Sequence, residues 1–340
     1  MKPPRAIEIV GGGLAGLSLG IALRRAEVPV TILEAGRYPR HRVCGEFITG
    51  LDRATITRLG LESILSDARR HRTVAWFAAR GNLRNQSLPE PALALSRHAL
   101  DHRLALEFVR LGGVLRENVR VERLDRPPGR VFAQGRRIAS SPWIGLKVHA
   151  CNLPLRRDLE LHLGDDGYVG LAGIEDGRVN VCGLFRRRRR SAPGASLLLG
   201  YLEATGLRDL ATRLRNAAID EDSFCAVAGI TFARRYHCGP GLAIGDAGGM
   251  VPPFTGNGMA MAFQAAAVAA DRLESYAHGA LSWEQACREV SDVLARRFRI
   301  RLASAEWLHP YLLRPTRQRL LSVLARMGLP PLRPLYAALH

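Results

Sequence analysis

The chain begins with two short apolar runs separated by a segment with helical spacing. The runs are Ile7–Val10 and residues 28–33, and the apolar-rich segment between them is Leu14–Arg25. A strand, a helix and a second strand in this order are typical of a βαβ unit with parallel strands. The N-terminal pattern therefore predicts the first half of an α/β domain.

The pattern continues as a mixture of helices and short strands up to residue 142. Residues 51–68 and 95–111 have helical spacing, and residues 73–79 and 83–88 flank a turn like the arms of a hairpin. Short strands are expected at residues 114–124, 130–133 and 242–244.

A different period begins at Trp143. Ile144, Leu146 and Val148 alternate with the more polar Lys147 and His149. Further alternating runs follow up to residue 185, and they predict an antiparallel sheet with one buried face. This block interrupts the α/β pattern and should form a second domain.

The last part of the chain is helical. A helix is expected at residues 197–217, and residues 283–340 are helical and rich in Arg, with breaks at Pro310, Pro315 and residues 329–331. Their apolar faces could dock on the protein body or lie on a membrane surface, and docking is the more usual arrangement.

Length and composition narrow the class of protein. A chain of 340 residues with 47% hydrophobic residues makes two domains or one large one. No apolar run is long enough to span a bilayer, and the N-terminus leads directly into the first strand without a secretory segment. The six Cys are scattered, which argues against a metal site or a disulfide framework and favours a cytoplasmic location.

The net charge of +18 at first suggests a nucleic-acid-binding protein. However, Lys2 and Lys147 are the only lysines, and such an Arg bias favours codon usage over a specific phosphate-binding surface. The five arginines at 186–190 indicate a solvated loop. We therefore expect no specific nucleic-acid partner, while peripheral contact with an anionic membrane through the C-terminal helices stays open.

A GxGxxG pattern lies at the first strand-to-helix turn. Gly11 permits the tight turn, Gly13 lets the backbone approach a pyrophosphate, and Gly16 permits close packing of the helix on the strand. The helix N-terminus offers its free N–H groups to the phosphates. Glu34 follows Gly16 by 34 − 16 = 18 residues, close to the spacing of the acid that holds a ribose 2′-hydroxyl. The pattern predicts the adenosine half of FAD or NAD.

A second glycine-bearing stretch runs from Gly245 to Met259. Asp246 follows a short strand and is placed to bind a polyol such as a ribityl chain, and Gly256 to Met259 open a long Ala-rich helix. The dipole at that helix N-terminus would stabilise an anionic reduced flavin.

With these residues the sequence resembles the FAD-dependent oxidoreductases of the para-hydroxybenzoate hydroxylase, ubiquinone-pathway hydroxylase and geranylgeranyl reductase group. Besides the two glycine-bearing stretches, the VCGE loop at 43–46 and SRHALD at 96–101 carry the resemblance. It implies an α/β fold, with a glutathione-reductase-like Rossmann FAD-binding domain, an inserted antiparallel β-sheet substrate domain and C-terminal helices. By this resemblance, Arg97 lies beside the flavin and Asp246 holds the ribityl chain. The expected cofactor-binding residues are Gly11, Gly13, Leu14, Ala15, Gly16, Glu34, Arg42, Cys44, Gly45, Arg97, Gly245, Asp246, Pro253, Gly256, Asn257, Gly258 and Met259.

The resemblance also divides the chain. Residues 1–72, 92–142 and 230–278 would form the FAD-binding domain, residues 73–91 and 143–229 the substrate domain, and residues 279–340 a C-terminal helical segment. The sequence departs from the hydroxylases at residues 132–141, where Gln134 replaces the Asp of the GADGxxSxxR pattern that is linked to NAD(P)H handling. The CGE sequence at 44–46 is closer to the reductases and the halogenase-like proteins.

The predicted function is that of a FAD-dependent oxidoreductase, of monooxygenase type, acting on a lipophilic or aromatic small molecule with NADH or NADPH as electron donor. One alternative is a reductase of a C=C bond. Alternatives of other classes are an Arg-rich protein that binds nucleic acid or a membrane surface, and a NAD-dependent dehydrogenase, which would leave residues 245–259 without a purpose. No catalytic residue is assigned. Cys44, Glu46 and His149 are weak candidates for proton transfer, because a Cys is often just a small buried residue and a lone His on a strand is more often structural.

Overall fold

The computed structural model describes residues 3–78, 81–121, 125–136, 139–189, 192–236 and 241–326. The N-terminal βαβ unit forms as predicted and extends into a five-stranded parallel sheet. The strands are β1 Ile7–Val10, β2 Val30–Leu33, β6 Val114–Arg116, β7 Arg130–Phe132 and β13 Leu242–Ala243. Their order in the sheet is β13-β7-β1-β2-β6. Strand β6 is shorter than the predicted 114–124.

Three helices pack around this sheet in one apolar core: α1 Leu14–Arg25, α3 Arg97–Arg110 and α6 Gly258–Ala277. Helix α6 is rich in Ala, and Ala265, Ala266, Ala269 and Ala270 are fully buried. Side chains of this size let α6 approach α1 closely, which brings the two glycine-bearing turns at their N-termini to one edge of the sheet.

The helix predicted at 51–68 is shorter than expected. Helix α2 covers Arg53–Leu59, where Asp52 caps the N-terminus by accepting a hydrogen bond from the Thr55 amide at 2.7 Å. Gly60 adopts a left-handed conformation with φ of 65° and ends the helix. The remaining residues turn back to enter the second sheet.

The predicted hairpin and the block from Trp143 join in one eight-stranded sheet. Its strands are β3 Phe47–Ile48, β4 Arg69–Ala78, β5 Gly81–Ala94, β8 Trp143–Cys151, β9 Leu159–Gly164, β10 Gly167–Gly173, β11 Val179–Arg186 and β12 Ala218–Ala228. Their order is β12-β8-β11-β10-β9-β4-β5-β3. Neighbouring strands are antiparallel except for the parallel pair β4 and β9.

The sheet has two buried faces at β8, whereas the sequence suggested one. Leu146 and Val148 pack against the helices α4 Gly194–Ala204 and α5 Arg208–Arg215, which replace the single helix predicted at 197–217. Lys147 and His149, on the face expected to be polar, are also fully buried. That face lies against the half of the molecule that holds the parallel sheet, so its polar side chains are enclosed between the two sheets.

The C-terminal part forms two helices, α7 Trp283–Leu313 and α8 Pro315–Arg326. The predicted break at Pro310 is wrong, because α7 continues through this exposed residue, whereas the break at Pro315 is present. Residues 329–331 lie outside the described part of the chain. Val290, Leu294 and Phe298 dock one face of α7 in the core, while Ile300 and Trp307 are exposed. No helix within the described ranges is long and apolar enough to cross a membrane.

Candidate functional site

The three glycines of the first turn differ in what surrounds them. A Cβ atom at Gly11, whose φ is +108°, would lie 2.4 Å from the carbonyl oxygen of Ala133, and one at Gly16 would lie 2.0 Å from that of Gly11. These two glycines are required by backbone packing. A Cβ atom at Gly13 would meet no atom of the described residues within 4 Å, because this position faces the open cavity described below. Gly13 thus leaves room for a ligand at the N-terminus of α1.

Glu34 follows β2 directly, with its side chain almost fully buried. Its carboxylate accepts hydrogen bonds from the Gly12 amide at 2.7 Å and the Gly36 amide at 2.9 Å, and it pairs with Arg40. The Tyr38 hydroxyl donates a hydrogen bond to the Gly12 carbonyl on the same side of the turn. Glu34 also lines the cavity, so the predicted ribose-binding acid is rigidly held beside the glycine turn.

A second buried carboxylate, Asp101, holds two of the predicted arginines. Arg97 donates two hydrogen bonds to it, at 2.7 and 2.8 Å, and Arg42 donates one at 2.9 Å. A second Arg42 nitrogen lies 3.8 Å from Glu34. Although burial of Arg97 opposes its charge, the Asp101 carboxylate raises its pKa overall. The SRHALD stretch at 96–101 includes Asp101, but the sequence assigned it no role, because its contact with Arg42 joins positions 59 residues apart.

The second glycine-bearing stretch lies against the same cavity. Gly256 is left-handed with φ of +72°, and a Cβ atom there would lie 2.3 Å from the ring of Phe47. Asn257 is buried and accepts a hydrogen bond from the Thr49 hydroxyl at 3.0 Å, which ties the start of α6 to β3 and its following residues. The Asp246 carboxylate is exposed to the cavity. Because the cavity lies deep in the molecule, burial raises the pKa of Asp246, whereas Arg97 and Arg136 oppose this shift.

A continuous cavity of about 1450 Å³ connects these parts. All predicted cofactor residues line it except Gly16 and Asn257, which are buried behind its wall. Drug-sized ligands occupy pockets of roughly 300–1,000 Å³. The volume is therefore large enough for a dinucleotide together with a small second molecule.

The end of the cavity away from the first turn is apolar. The inner face of the eight-stranded sheet supplies most of its wall, and the tip of α7 closes it through Leu308. Its principal side chains are Val74, Trp76, Leu161, Tyr168, Leu184, Phe254 and Leu308. A Cβ atom at Gly170, in the middle of this wall, would have no neighbour among the described residues closer than 3.9 Å.

The three weak candidates for proton transfer lie together. Cys44 lines the cavity, and burial raises the pKa of its thiol, so it is not a thiolate at neutral pH. Glu46 and His149 are fully buried, and His149 Nε2 lies 2.6 Å from Glu46 Oε2. Lys147, which the sequence placed on the same face as His149, lies 3.5 Å from Glu46 Oε1. Its rarity in this Arg-rich chain was the signal that could have drawn attention to it.

Comparison with known proteins agrees with this arrangement. Residues 9–45 match the model of the NAD(P)-binding Rossmann-like domain. A search of curated protein sequences found no match. Solved structures, in contrast, match nearly the whole chain.

The chain shares its fold with several solved flavin-dependent monooxygenases. It is similar to p-nitrophenol 4-monooxygenase PnpA from Pseudomonas putida, with 14% identity, a TM-score of 0.77 and coverage of 100% of this chain and 97% of that one. HpxO from Klebsiella pneumoniae, solved with FAD and uric acid, is 16% identical, with a TM-score of 0.77 and coverage of 98% and 96%. PqsL, a probable FAD-dependent monooxygenase from Pseudomonas aeruginosa, is 18% identical, with a TM-score of 0.70 and coverage of 94% and 100%. The predicted fold class is thereby confirmed.

Proposed function

We propose that this protein is a FAD-dependent oxidoreductase of monooxygenase type that acts on an apolar, aromatic or lipophilic small molecule. The observation that carries the proposal is the continuity of the cavity, which runs from the Gly13 turn past Asp246 and the start of α6 to the apolar face of the second sheet. A cofactor bound along this path would place one of its ends next to a substrate in the apolar part of the cavity.

The residues present fit FAD. Gly13 leaves space for a pyrophosphate at the N-terminus of α1, and Glu34 lies where the ribose of the adenosine half would follow. Asp246 faces the middle of the cavity, where it would bind the ribityl chain. Gly256, Gly258 and Met259 line the wall at the start of α6, whose dipole would stabilise negative charge on the reduced ring. Gly16 and Asn257 would act indirectly, by fixing the two turns.

Bound FAD would supply the redox chemistry, and the protein would supply binding, orientation and exclusion of water. Arg97 lines the cavity, and Asp101 fixes it in place through two hydrogen bonds. The apolar end excludes water from whatever binds there. Gln86 and Tyr168 are its main polar side chains, so a neutral molecule with few polar groups is the substrate class that the wall favours.

NADH or NADPH is the proposed electron donor. The site for it is not marked by the hydroxylase pattern, since the Gln134 amide donates a hydrogen bond to the Val121 carbonyl at 3.2 Å instead of supplying an acid. Reduction by a transiently bound nicotinamide at the cavity mouth is compatible with this arrangement. Residues 137 and 138 of the same region lie outside the described part of the chain.

A second candidate is a reductase of a C=C bond, and Cys44 favours it. Its thiol lies on the cavity wall within reach of Arg97, as the reductase-like CGE sequence suggests.

A cytoplasmic location, the domain boundaries and membrane contact through α7 and α8 remain predictions of the sequence. The exposed Ile300 and Trp307 are compatible with such contact.

The deciding experiment begins with the visible spectrum of the purified protein and identification of the released cofactor. NADH and NADPH oxidation is then followed with a panel of hydrophobic phenols, in air and under nitrogen. Oxygen-dependent product formation supports a monooxygenase, and anaerobic turnover supports the reductase. A colourless protein that binds no added FAD, and instead associates with DNA in a salt-dependent manner, would overturn both.

A further inference from the structure

A group of titratable side chains lies between the two sheets, directly behind the loop that carries Cys44. We call His41, Glu46, Lys147 and His149 the Lys147 cluster. Lys147 has no exposed surface, although it is one of only two lysines among 49 basic residues. Burial of an ammonium group is unfavourable unless a counter-charge pairs with it. Because this chain otherwise uses almost only arginine, the lysine at this buried site indicates a chemical role for its amine.

The contacts within the Lys147 cluster are short. Lys147 Nζ lies 3.1 Å from His41 Nδ1 and 3.5 Å from Glu46 Oε1. Glu46 also accepts a hydrogen bond from the Arg97 amide at 3.0 Å and lies 2.6 Å from His149 Nε2. The backbone of Glu46 has a φ of 56°, an uncommon conformation for a residue with a side chain. One ammonium and one carboxylate thus balance each other inside the protein.

This arrangement sets the protonation of His41. An ammonium group can only donate hydrogen bonds, so Nδ1 of His41 is the acceptor and the neutral ring carries its proton on Nε2. His41 is half-buried and lines the cavity. It is faced by Lys147, His149, His98, Glu46 and Asp220. Burial, followed by the charge of Lys147, lowers its pKa to about 4, so the ring is neutral at physiological pH.

We propose that His41 transfers protons between the cavity and Lys147, which positions it. The inference rests on the proposed function, because it concerns the same cavity. His41 gives its Nε2 proton to an acceptor in the cavity and takes a proton from Lys147 Nζ at Nδ1, leaving the lysine as a neutral amine. The ring remains neutral and only its tautomer changes. One proton from the bulk solvent, relayed by water, then returns to Nε2, and the Nδ1 proton goes back to Lys147.

The same surroundings offer a metal-binding alternative. His41, His149 and Asp220 each have one ligating atom within 4.8 Å of the others, and His149 Nδ1 is buried without a hydrogen-bond partner in the described part of the chain. The positive charge of Lys147, 3.1 Å from His41, opposes a second cation there. A stoichiometric divalent metal bound by His41 in the purified protein would overturn our proposal.

The first test is the tautomer of His41 in the FAD-loaded protein, read from imidazole ¹⁵N chemical shifts with the signals assigned by a His41→Ala variant. We expect neutral Nε2–H between pH 6 and 8, and loss of this fixed tautomer in Lys147→Met. If Lys147→Met does not fold because Glu46 loses the charge of the ammonium group, the double variant Glu46→Gln/Lys147→Met removes both charges. A charged ring at neutral pH, or an Nδ1–H tautomer, would refute the arrangement.

The second test is the reoxidation of the reduced holoprotein by O₂, in which FADH⁻, O₂ and one external proton yield FAD and hydrogen peroxide. We expect His41→Ala to be at least about tenfold slower, since general acid catalysis is worth about 10²–10⁴-fold. Added imidazole should restore much of the rate, which a purely structural role would not permit. His278→Gln, an exposed histidine at the end of α6, is the control.

The proton-transfer role of His41 and the proposed function can be refuted independently. A His41→Ala protein that holds FAD and reoxidises at the wild-type rate across pH 5–9 removes the proton-transfer role and leaves the proposed function intact. A wild-type protein that does not hold FAD removes the proposed function and this step with it.

Discussion

Replacing Gly13 by Val should abolish cofactor binding while leaving the protein folded. Gly13 caps α1 with φ of −86° and ψ of −171°, an extended conformation that any residue adopts. A Cβ atom there meets no atom of the described chain within 4 Å, so the cost to folding should be about 1 kcal/mol or less. The isopropyl group would instead occupy the space in front of the helix N–H groups.

The magnitude follows from the hydrogen bonds that a bound phosphate could no longer accept from this turn. If the new side chain prevents two charge-assisted hydrogen bonds, at about 1.5–3 kcal/mol each, binding weakens by about 3–6 kcal/mol. This corresponds to a Kd for FAD that rises about 100- to 20,000-fold. Titration of the apoprotein with FAD, followed by quenching of flavin fluorescence, measures it directly.

The matched comparison is Gly16→Val, at the last glycine of the same turn. Its Cβ atom would lie 2.0 Å from a backbone oxygen, so this variant should fail to fold. Circular dichroism and thermal unfolding of the two apoproteins separate the effects. Wild-type FAD affinity in a folded Gly13→Val protein would show that the pyrophosphate does not lie at this turn.

Three further outcomes are expected. Asp101→Asn should destabilise the protein by about 3–5 kcal/mol in urea unfolding, because it removes the buried carboxylate that pairs with two partly buried guanidinium groups. Glu203→Gln at an exposed ion pair should cost about 1 kcal/mol or less, and equal effects would contradict this reasoning. Burial lowers the pKa of His309 to about 4, below its unfolded value of 6.5, so its contribution to stability is complete above pH 6.5 and is lost as the pH falls toward 4. His309→Phe should therefore reduce the acid-induced loss of stability over this range by up to about 3 kcal/mol, as measured by unfolding at each pH, and an unchanged profile would argue against it. Gly170→Leu should keep FAD and stability but lose substrate-stimulated oxidation, as followed by NADH consumption, since its side chain would project into the apolar end of the cavity; full stimulation would place the substrate elsewhere.

Local chemistry explains what the sequence could predict. The spacing of Gly11, Gly13 and Gly16 from the first strand and from Glu34 is short-range information, and it located one wall of the cavity. The second turn was found in the same way, because Gly245 and Gly258 begin elements that are close together in sequence. The order of the strands in each sheet was not contained in such patterns, since β3 pairs with β5 and β12 with β8.

Contacts between distant segments explain what the sequence could not predict. Arg42 and Asp101 meet only when α3 packs beside the loop that follows β2, and Lys147 and His41 meet only when the two sheets have closed on each other. An alternating strand cannot reveal whether its polar face meets water or a second layer of protein, and β8 was therefore misread. Leu308 reaches the cavity because α7 continues to Leu313 before the chain turns at Arg314.

Because lysine is scarce in this chain, labelling of Lys147 can measure how often the two halves of the molecule separate. Amine-directed reagents can react with the N-terminus, with Lys2 and with Lys147, and the last of these has no surface in contact with water. The rate of acetylation at Lys147, followed by peptide mass spectrometry, thus reports how often the two halves open. The same measurement with ligands added would report whether filling the cavity holds those layers together.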